Sequence, residues 1–163
     1  ADVPYCVMRG TALAEGIGEQ LSQLQPMPEC RVLIAKPPVS VSTKFVYENL
    51  KLDEDTLHPD IDGLIERIND GDLPGAAARM GNVLESVTIP GYPVIARIKE
   101  EMIKGGALNA MMSGSGPTVF GLFDEERLAQ QVYQKLRRGD LAKQVYLTDI
   151  YNNTGKMSMK NKK

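Results

Sequence analysis

The stretch LNAMMSGSGPTVFGLF, residues 108–123, interrupts an apolar run with Ser113, Gly114, Ser115, Gly116 and Pro117. Its two ends, 108–112 and 118–123, read as β-strands. A tight hairpin needs only two turn residues. A longer Gly/Ser loop leaves several backbone N–H groups free and lets another molecule approach them closely, which suits an anion such as a phosphate. The loop is not a Walker motif. It lacks the Gly-Lys-Ser/Thr ending, and it joins two strands instead of leading into a helix. A loose turn is the plainer alternative.

Other residue types suited to chemistry are sparse. Thr43 and Tyr47 stand four apart in SVSTKFVY, residues 40–47, so they share a face if that segment is helical. A hydroxyl beside an aromatic ring suits a ring-bearing ligand, because the ring stacks and the hydroxyl fixes orientation. A helix cap at Thr43 and a core position for Tyr47 are the plainer assignments. Asp2 sits in ADVP beside a proline, and an acid at such an edge is usually solvated or capping. His58 is the single histidine. It has no second histidine or partnered serine or cysteine nearby, so it reads as a loop-packing residue. Cys6 and Cys30 lie far apart and form no metal-ligand spacing, so no metal site is expected. Met80, Met102 and Met112 read as gap fillers of a core.

Around these residues the pattern alternates between strands and groups of helices. Two short strands, 12–14 and 20–24, flank a turn at 15–18. The Pro-rich QPMPE, residues 25–29, marks a domain boundary, with 1–27 as the end of one domain and 28–153 as another. RVLIAKP, residues 31–37, reads as a buried strand. Ser42 or Thr43 caps a short helix over 44–50. Pro59 opens a helix that runs through Asn69, and Gly71 stops it. Residues 73–87 form one further helix. Pro93 starts a fourth, with Ile95, Ile98 and Met102 on one face and Gly105–Gly106 at its end. Asp124 caps a helix in which Leu128, Val132 and Leu136 recur every four residues, and QVYLTDI, residues 144–150, is the last strand. This order predicts an α+β fold, an antiparallel sheet covered by helices on one face.

The chain has 163 residues, 42% of them apolar, and a net charge of −2. It can bury a real core, and the charge does not favour a general nucleic-acid or membrane-surface binder. No apolar run is long enough to span a membrane. With two unpaired cysteines, a reduced cytoplasmic protein is the default. The basic residues at 154–163 read as a frayed, solvated tail.

Taken together, these residues resemble one family. MSGSGPTVFGLF, residues 112–123, resembles a motif of the GHMP small-molecule kinases. ADVPYCVMRGTALAEGIGE (1–19) and KPPVSVSTKFVYENL (36–50) are similar to the branch that acts on a cytidyl-diphosphate-linked methylerythritol, and GNVLESVT (81–88) resembles its Gram-positive members. The resemblance covers the chain to about Tyr151.

It implies transfer of the γ-phosphoryl group of ATP, with Mg²⁺, to a tertiary hydroxyl of that substrate, on the non-mevalonate route to isoprenoid precursors. Asp2 matches the catalytic aspartate that orients or deprotonates the hydroxyl. Thr43 and Tyr47 match positions lining the substrate pocket, the ring close to the cytosine. Gly114, Ser115 and Gly116 match the loop that closes over the reacting groups. The resemblance also implies a chain that is a C-terminal portion, inactive alone, because the family's ATP-phosphate loop and an N-terminal lysine lie upstream. Two alternatives stand beside it: another kinase of the family, such as one acting on homoserine, or a non-catalytic α+β module that holds an anion.

Overall fold

The computed structural model describes residues 2–152; the basic tail lies outside them. In chain order its elements are α1 (Asp2–Met8), β1 (Ala12–Glu15), β2 (Gln20–Gln23), β3 (Arg31–Lys36), α2 (Thr43–Asn49), α3 (Ile61–Asn69), α4 (Leu73–Ala78), α5 (Glu85–Gly91), α6 (Val94–Lys104), β4 (Asn109–Met112), β5 (Val119–Phe123), α7 (Glu126–Arg138) and β6 (Gln144–Asp149).

The strands form two antiparallel sheets. β1 and β2 pair as a separate hairpin, and the other four run in the order β4-β5-β3-β6. β3 is central, with Leu33 opposite Gly121 on one side and Leu147 on the other. Alternation along the strands divides their side chains between two faces. Leu33, Ala35, Ala110, Met112, Val119 and Phe123 are buried together with Ile95, Ile98 and Met102 of α6 and Ala129, Val132 and Leu136 of α7. These helical residues recur at three- and four-residue spacing, so each helix lays one stripe on the sheet. The α+β expectation, with helices on one face of an antiparallel sheet, therefore matches the structure. Burial of each Val, Leu, Ile, Met or Phe side chain among them contributes about 1.5–3 kcal/mol. On the opposite face, Ile34 and Phe120 are half-buried and Tyr146 is exposed.

The helix starts follow local chemistry. Ser42 caps α2 by accepting a bond from the Phe45 N–H at 3.2 Å. Asp60 and Asp72 cap α3 and α4 in the same way, each accepting from the N–H three residues on at 3.0 Å. Pro59 therefore lies outside α3, which Asp60 begins, because a carboxylate satisfies a helix-terminal N–H and a proline ring does not.

Two further expectations are corrected. Asp124 does not cap α7. That helix starts at Glu126, and the cap position, Glu125, makes no side-chain bond, so Asp124 is one residue too early to reach the first helical amides. Arg31 instead ties down the start of the helix through Glu126, Nε to Oε2 at 2.7 Å.

The single helix expected over 73–87 is two helices, α4 and α5, broken between them. Gly81 and Asn82 sit in the break. Asparagine competes for backbone partners and weakens a helix interior. Here the Asn82 Oδ1 accepts the Leu84 N–H at 3.0 Å, while its Nδ2 reaches out of the segment altogether. No helix among the described residues is long and apolar enough to cross a membrane.

Candidate active site

The loop from Ser113 to Pro117 leaves the end of β4 and returns into β5. Its own backbone closes it: Ser113 N–H donates to the Thr118 carbonyl at 2.8 Å, and Gly116 N–H to the Ser113 carbonyl at 3.0 Å. The Gly116–Pro117 peptide is cis. Gly114 and Gly116 take φ values of +56° and +87°, a region that side chains with a Cβ enter only at a cost. At Gly116 an added Cβ would also meet Met112 Sδ at 2.8 Å and Thr88 Cγ2 at 3.2 Å. The backbone N–H groups of Gly114 and Ser115 have no partner among the described residues.

Three elements hold this loop. From α2, Thr43 Oγ1 lies 2.9 Å from Ser115 Oγ, a hydroxyl pair in which either atom can donate. From α5, the buried Thr88 donates its hydroxyl to the Ser115 carbonyl at 3.0 Å. From the turn before α5, Asn82 Nδ2 donates to the carbonyls of Met112 at 2.9 Å and Gly114 at 2.7 Å. Glu85 completes the attachment. Its Oε2 accepts the Met112 N–H at 2.9 Å, and its Oε1 pairs with Lys99 Nζ at 2.6 Å. That ion pair is largely shielded, with side chains 18% and 27% exposed, so water screens it less than a surface pair.

The structure thus joins two of the segments singled out in the sequence: Thr43 to the Gly114–Gly116 loop. Tyr47 follows Thr43 by one helical turn. It is 60% exposed, not a core residue, so its ring is open to a ligand. Asp2 is also exposed, on α1, and no hydrogen bond or ion pair among the described residues links it to the loop or to α2. His58 is exposed in the loop before α3. Met102 and Met112 are fully buried in the core, and Met80 is half-buried.

Asn82, Glu85 and Thr88 were not singled out in the sequence. Their signal was present: polar residues at intervals of three in NVLESVT place them on one helix face. It was hidden because such a stripe normally faces solvent, and only the packed loop gives it partners.

At the other end of the sheet a cavity of about 380 Å³ is lined by Cys30, Arg31, Asp124 and Asp149 among others. Burial pushes the Cys30 thiol up to about 11, with help from Asp149 and Asp124. No cluster of three or more His, Cys, Asp or Glu side chains suited to a metal ion occurs among the described residues.

An antiparallel sheet with helices on one face and a glycine loop at a strand end, held by hydroxyls and an amide, defines an α+β domain with a loop open to a ligand. Residues 57–140 match the family described as GHMP kinases, C terminal. The chain belongs to this family.

Curated relatives narrow the similarity. The chain is 63% identical over 151 residues to the 4-diphosphocytidyl-2-C-methyl-D-erythritol kinase of Lachnospira eligens, a match covering 93% of this chain and 52% of that protein. It is 58% identical to the protein of the same name from Lachnoclostridium phytofermentans, with the same coverage. Identity is 47% to that of Enterococcus faecalis, over 90% of this chain and 50% of the relative. The chain spans about half the length of the curated relatives it matches.

Solved structures show the same fold. A 4-(cytidine 5'-diphospho)-2C-methyl-D-erythritol kinase matches with a TM-score of 0.74 at 24% identity, over 91% of this chain and 53% of that one. A homoserine kinase from Cytophaga hutchinsonii matches at 0.73 and 22%, over 91% and 50%. Kinases named for different acceptors thus share the fold, so the fold by itself does not select the acceptor.

Proposed function

We propose that this chain is part of a kinase that transfers the γ-phosphoryl group of ATP to a tertiary hydroxyl of a cytidyl-diphosphate-linked methylerythritol, a cytoplasmic step toward isoprenoid precursors. The observation that carries this reading is the 2.9 Å contact between Thr43 and Ser115. It joins a helix bearing an exposed aromatic ring to a loop with two backbone N–H groups that have no partner among the described residues. The names of relatives up to 63% identical supply the acceptor.

Each residue then has a physical task. Phosphoryl transfer depends mostly on positioning and on stabilising charge on the transferred group. The free N–H groups of Gly114 and Ser115 are donors to phosphate oxygens, and nothing lies within 4 Å of where a Cβ of Gly114 would stand, so the loop is open to close approach on that side. Thr43 holds Ser115 in register and borders the acceptor. Tyr47 stacks on the pyrimidine ring. Asp2 receives or orients the proton of the attacking hydroxyl. ATP supplies the phosphoryl group when bound. Mg²⁺ would be held chiefly by the ATP phosphates and water, which leaves few coordination positions for protein carboxylates.

The test is Asp2→Asn in the full-length enzyme. A positioned general base contributes about 10²–10⁴-fold, so kcat falls by that order while the KM of the cytidyl substrate changes by less than about three-fold. A kcat within a few-fold of normal removes Asp2 from the reaction. Turnover of homoserine in place of the cytidyl substrate assigns the chain to the other acceptor.

A further inference from the structure

We propose that Asn82 is a positioning residue that aims the Ser115 N–H at the transferred phosphoryl group. The inference rests on the kinase reading above and names a residue through which the loop acts.

The argument is one of peptide planes. Asn82 Nδ2 uses both of its hydrogens, toward the Met112 carbonyl at 2.9 Å and the Gly114 carbonyl at 2.7 Å. Its Oδ1 accepts the Leu84 N–H at 3.0 Å. A donor group facing two carbonyls and an acceptor facing an N–H fix the orientation of the amide. The Gly114–Ser115 peptide is trans. In a planar trans peptide the C=O and the N–H point in opposite directions. With its carbonyl drawn toward Asn82, this peptide turns the Ser115 N–H away from Asn82, and no described residue accepts it.

The neighbouring planes do not share this freedom. Thr88 holds the Ser115 carbonyl at 3.0 Å, and the N–H of that same peptide, from Gly116, returns to the Ser113 carbonyl at 3.0 Å. The Ser113 carbonyl is therefore turned inward, and the Gly114 N–H of its peptide outward. The result is two successive outward N–H groups, an arrangement that binds anions. Thr88 fixes the loop's interior. Among the described residues, Asn82 makes the only hydrogen bond to the peptide that carries the Ser115 N–H. Such donors are effective only if they are oriented before the charge develops.

The experiment uses the full-length enzyme, ¹⁵N-labelled, with a non-hydrolysable ATP analogue as probe. In the wild type the Ser115 amide resonance shifts on adding the analogue. In Asn82→Ala that shift is lost. kcat falls about 10²-fold, the scale for one misplaced charge-stabilising donor, while both KM values stay within about three-fold. Thr88→Val is the structural comparison: it loosens the loop without freeing the Gly114 carbonyl, and it keeps the Ser115 response.

If Asn82→Ala lowers kcat no more than Thr88→Val does at an equal loss of Tm, Asn82 is structural only and the proposal is overturned. Where Asn82→Ala does not fold, the wild-type measurement decides: an unmoved Ser115 amide overturns it. Turnover of the cytidyl substrate with an unmoved Ser115 amide refutes this inference and leaves the kinase reading standing. A shifted amide without turnover of any acceptor supports the aimed N–H and refutes the kinase reading.

Discussion

Thr43 and Ser115, separated by 72 positions in the chain, meet hydroxyl to hydroxyl at 2.9 Å. The contact ties the first turn of α2 to the crown of the β4–β5 loop. An exposed hydroxyl pair of this kind contributes about 0.5–1 kcal/mol. A double-mutant cycle of Thr43→Val and Ser115→Ala on unfolding free energy is expected to show a coupling of about 0.5 kcal/mol. Strict additivity of the two substitutions would mean that the helix and the loop are not joined in solution.

Tyr47 separates binding from stability. Because its side chain is exposed, Tyr47→Ala changes the unfolding free energy by less than about 0.5 kcal/mol. Loss of a base-stacking ring costs about 1–3 kcal/mol of ligand binding. Calorimetric titration of the full-length enzyme with the cytidyl substrate therefore shows affinity weakened by roughly five- to 150-fold in Tyr47→Ala, and nearly unchanged in Tyr47→Phe. Equal affinities in all three proteins would place the pyrimidine elsewhere.

The two loop glycines are not equivalent. At Gly114, with φ +56° and nothing within 4 Å of a Cβ, alanine meets only the backbone cost of about 1–2 kcal/mol. At Gly116 the same backbone cost is joined by the approach to Met112 Sδ and Thr88 Cγ2. Urea denaturation is expected to rank Gly116→Ala as clearly the more destabilising. The reverse ranking would contradict the packing of the loop on α5.

Cys30 reports on the opposite end of the sheet. Its thiol is raised from 9.0 to about 11, first by burial and then by Asp149 and Asp124. The folded chain therefore holds this proton more tightly than the unfolded one. The stabilisation is complete below about pH 9 and is lost as pH rises toward about 11. Unfolding free energy falls across that window, and Cys30→Ala flattens the fall. At pH 8 the thiolate fraction is about one in a thousand, so iodoacetamide labels the exposed Cys6 well before Cys30. Equal labelling rates would show that Cys30 is not shielded.

Much of the architecture was legible because it depends on local pattern. The run RVLIAKP, short and apolar between proline-rich segments, reads as a buried strand, and the sheet order makes it the strand between β5 and β6. Leu128, Val132 and Leu136 recur at helical spacing, so they form a stripe in whatever context the helix finds itself. Two features failed locally. Residues 73–87 carry good helix formers around a Gly-Asn pair, and propensity does not say whether such a pair is tolerated or breaks the helix. The break occurs because Asn82 finds better partners on β4 and the loop than in its own helix. Asp124 and Glu125 both precede a helix, and neither side chain caps it, because the point where the chain leaves β5 puts Glu125 at the cap position without a side-chain bond.

For the candidate site, residue types and spacing by themselves marked a glycine loop with free amides and a threonine–tyrosine pair on one helix face, because turn chemistry and helical periodicity are properties of short segments. Tertiary structure alone decided that the pair and the loop belong together. It also turned Tyr47 outward and made a polar stripe at 82, 85 and 88 into the support of the loop. A hydrogen bond between residues 72 positions apart has no local signature: it exists only because the antiparallel pairing of β3 with β5 brings the end of one strand beside the start of the other.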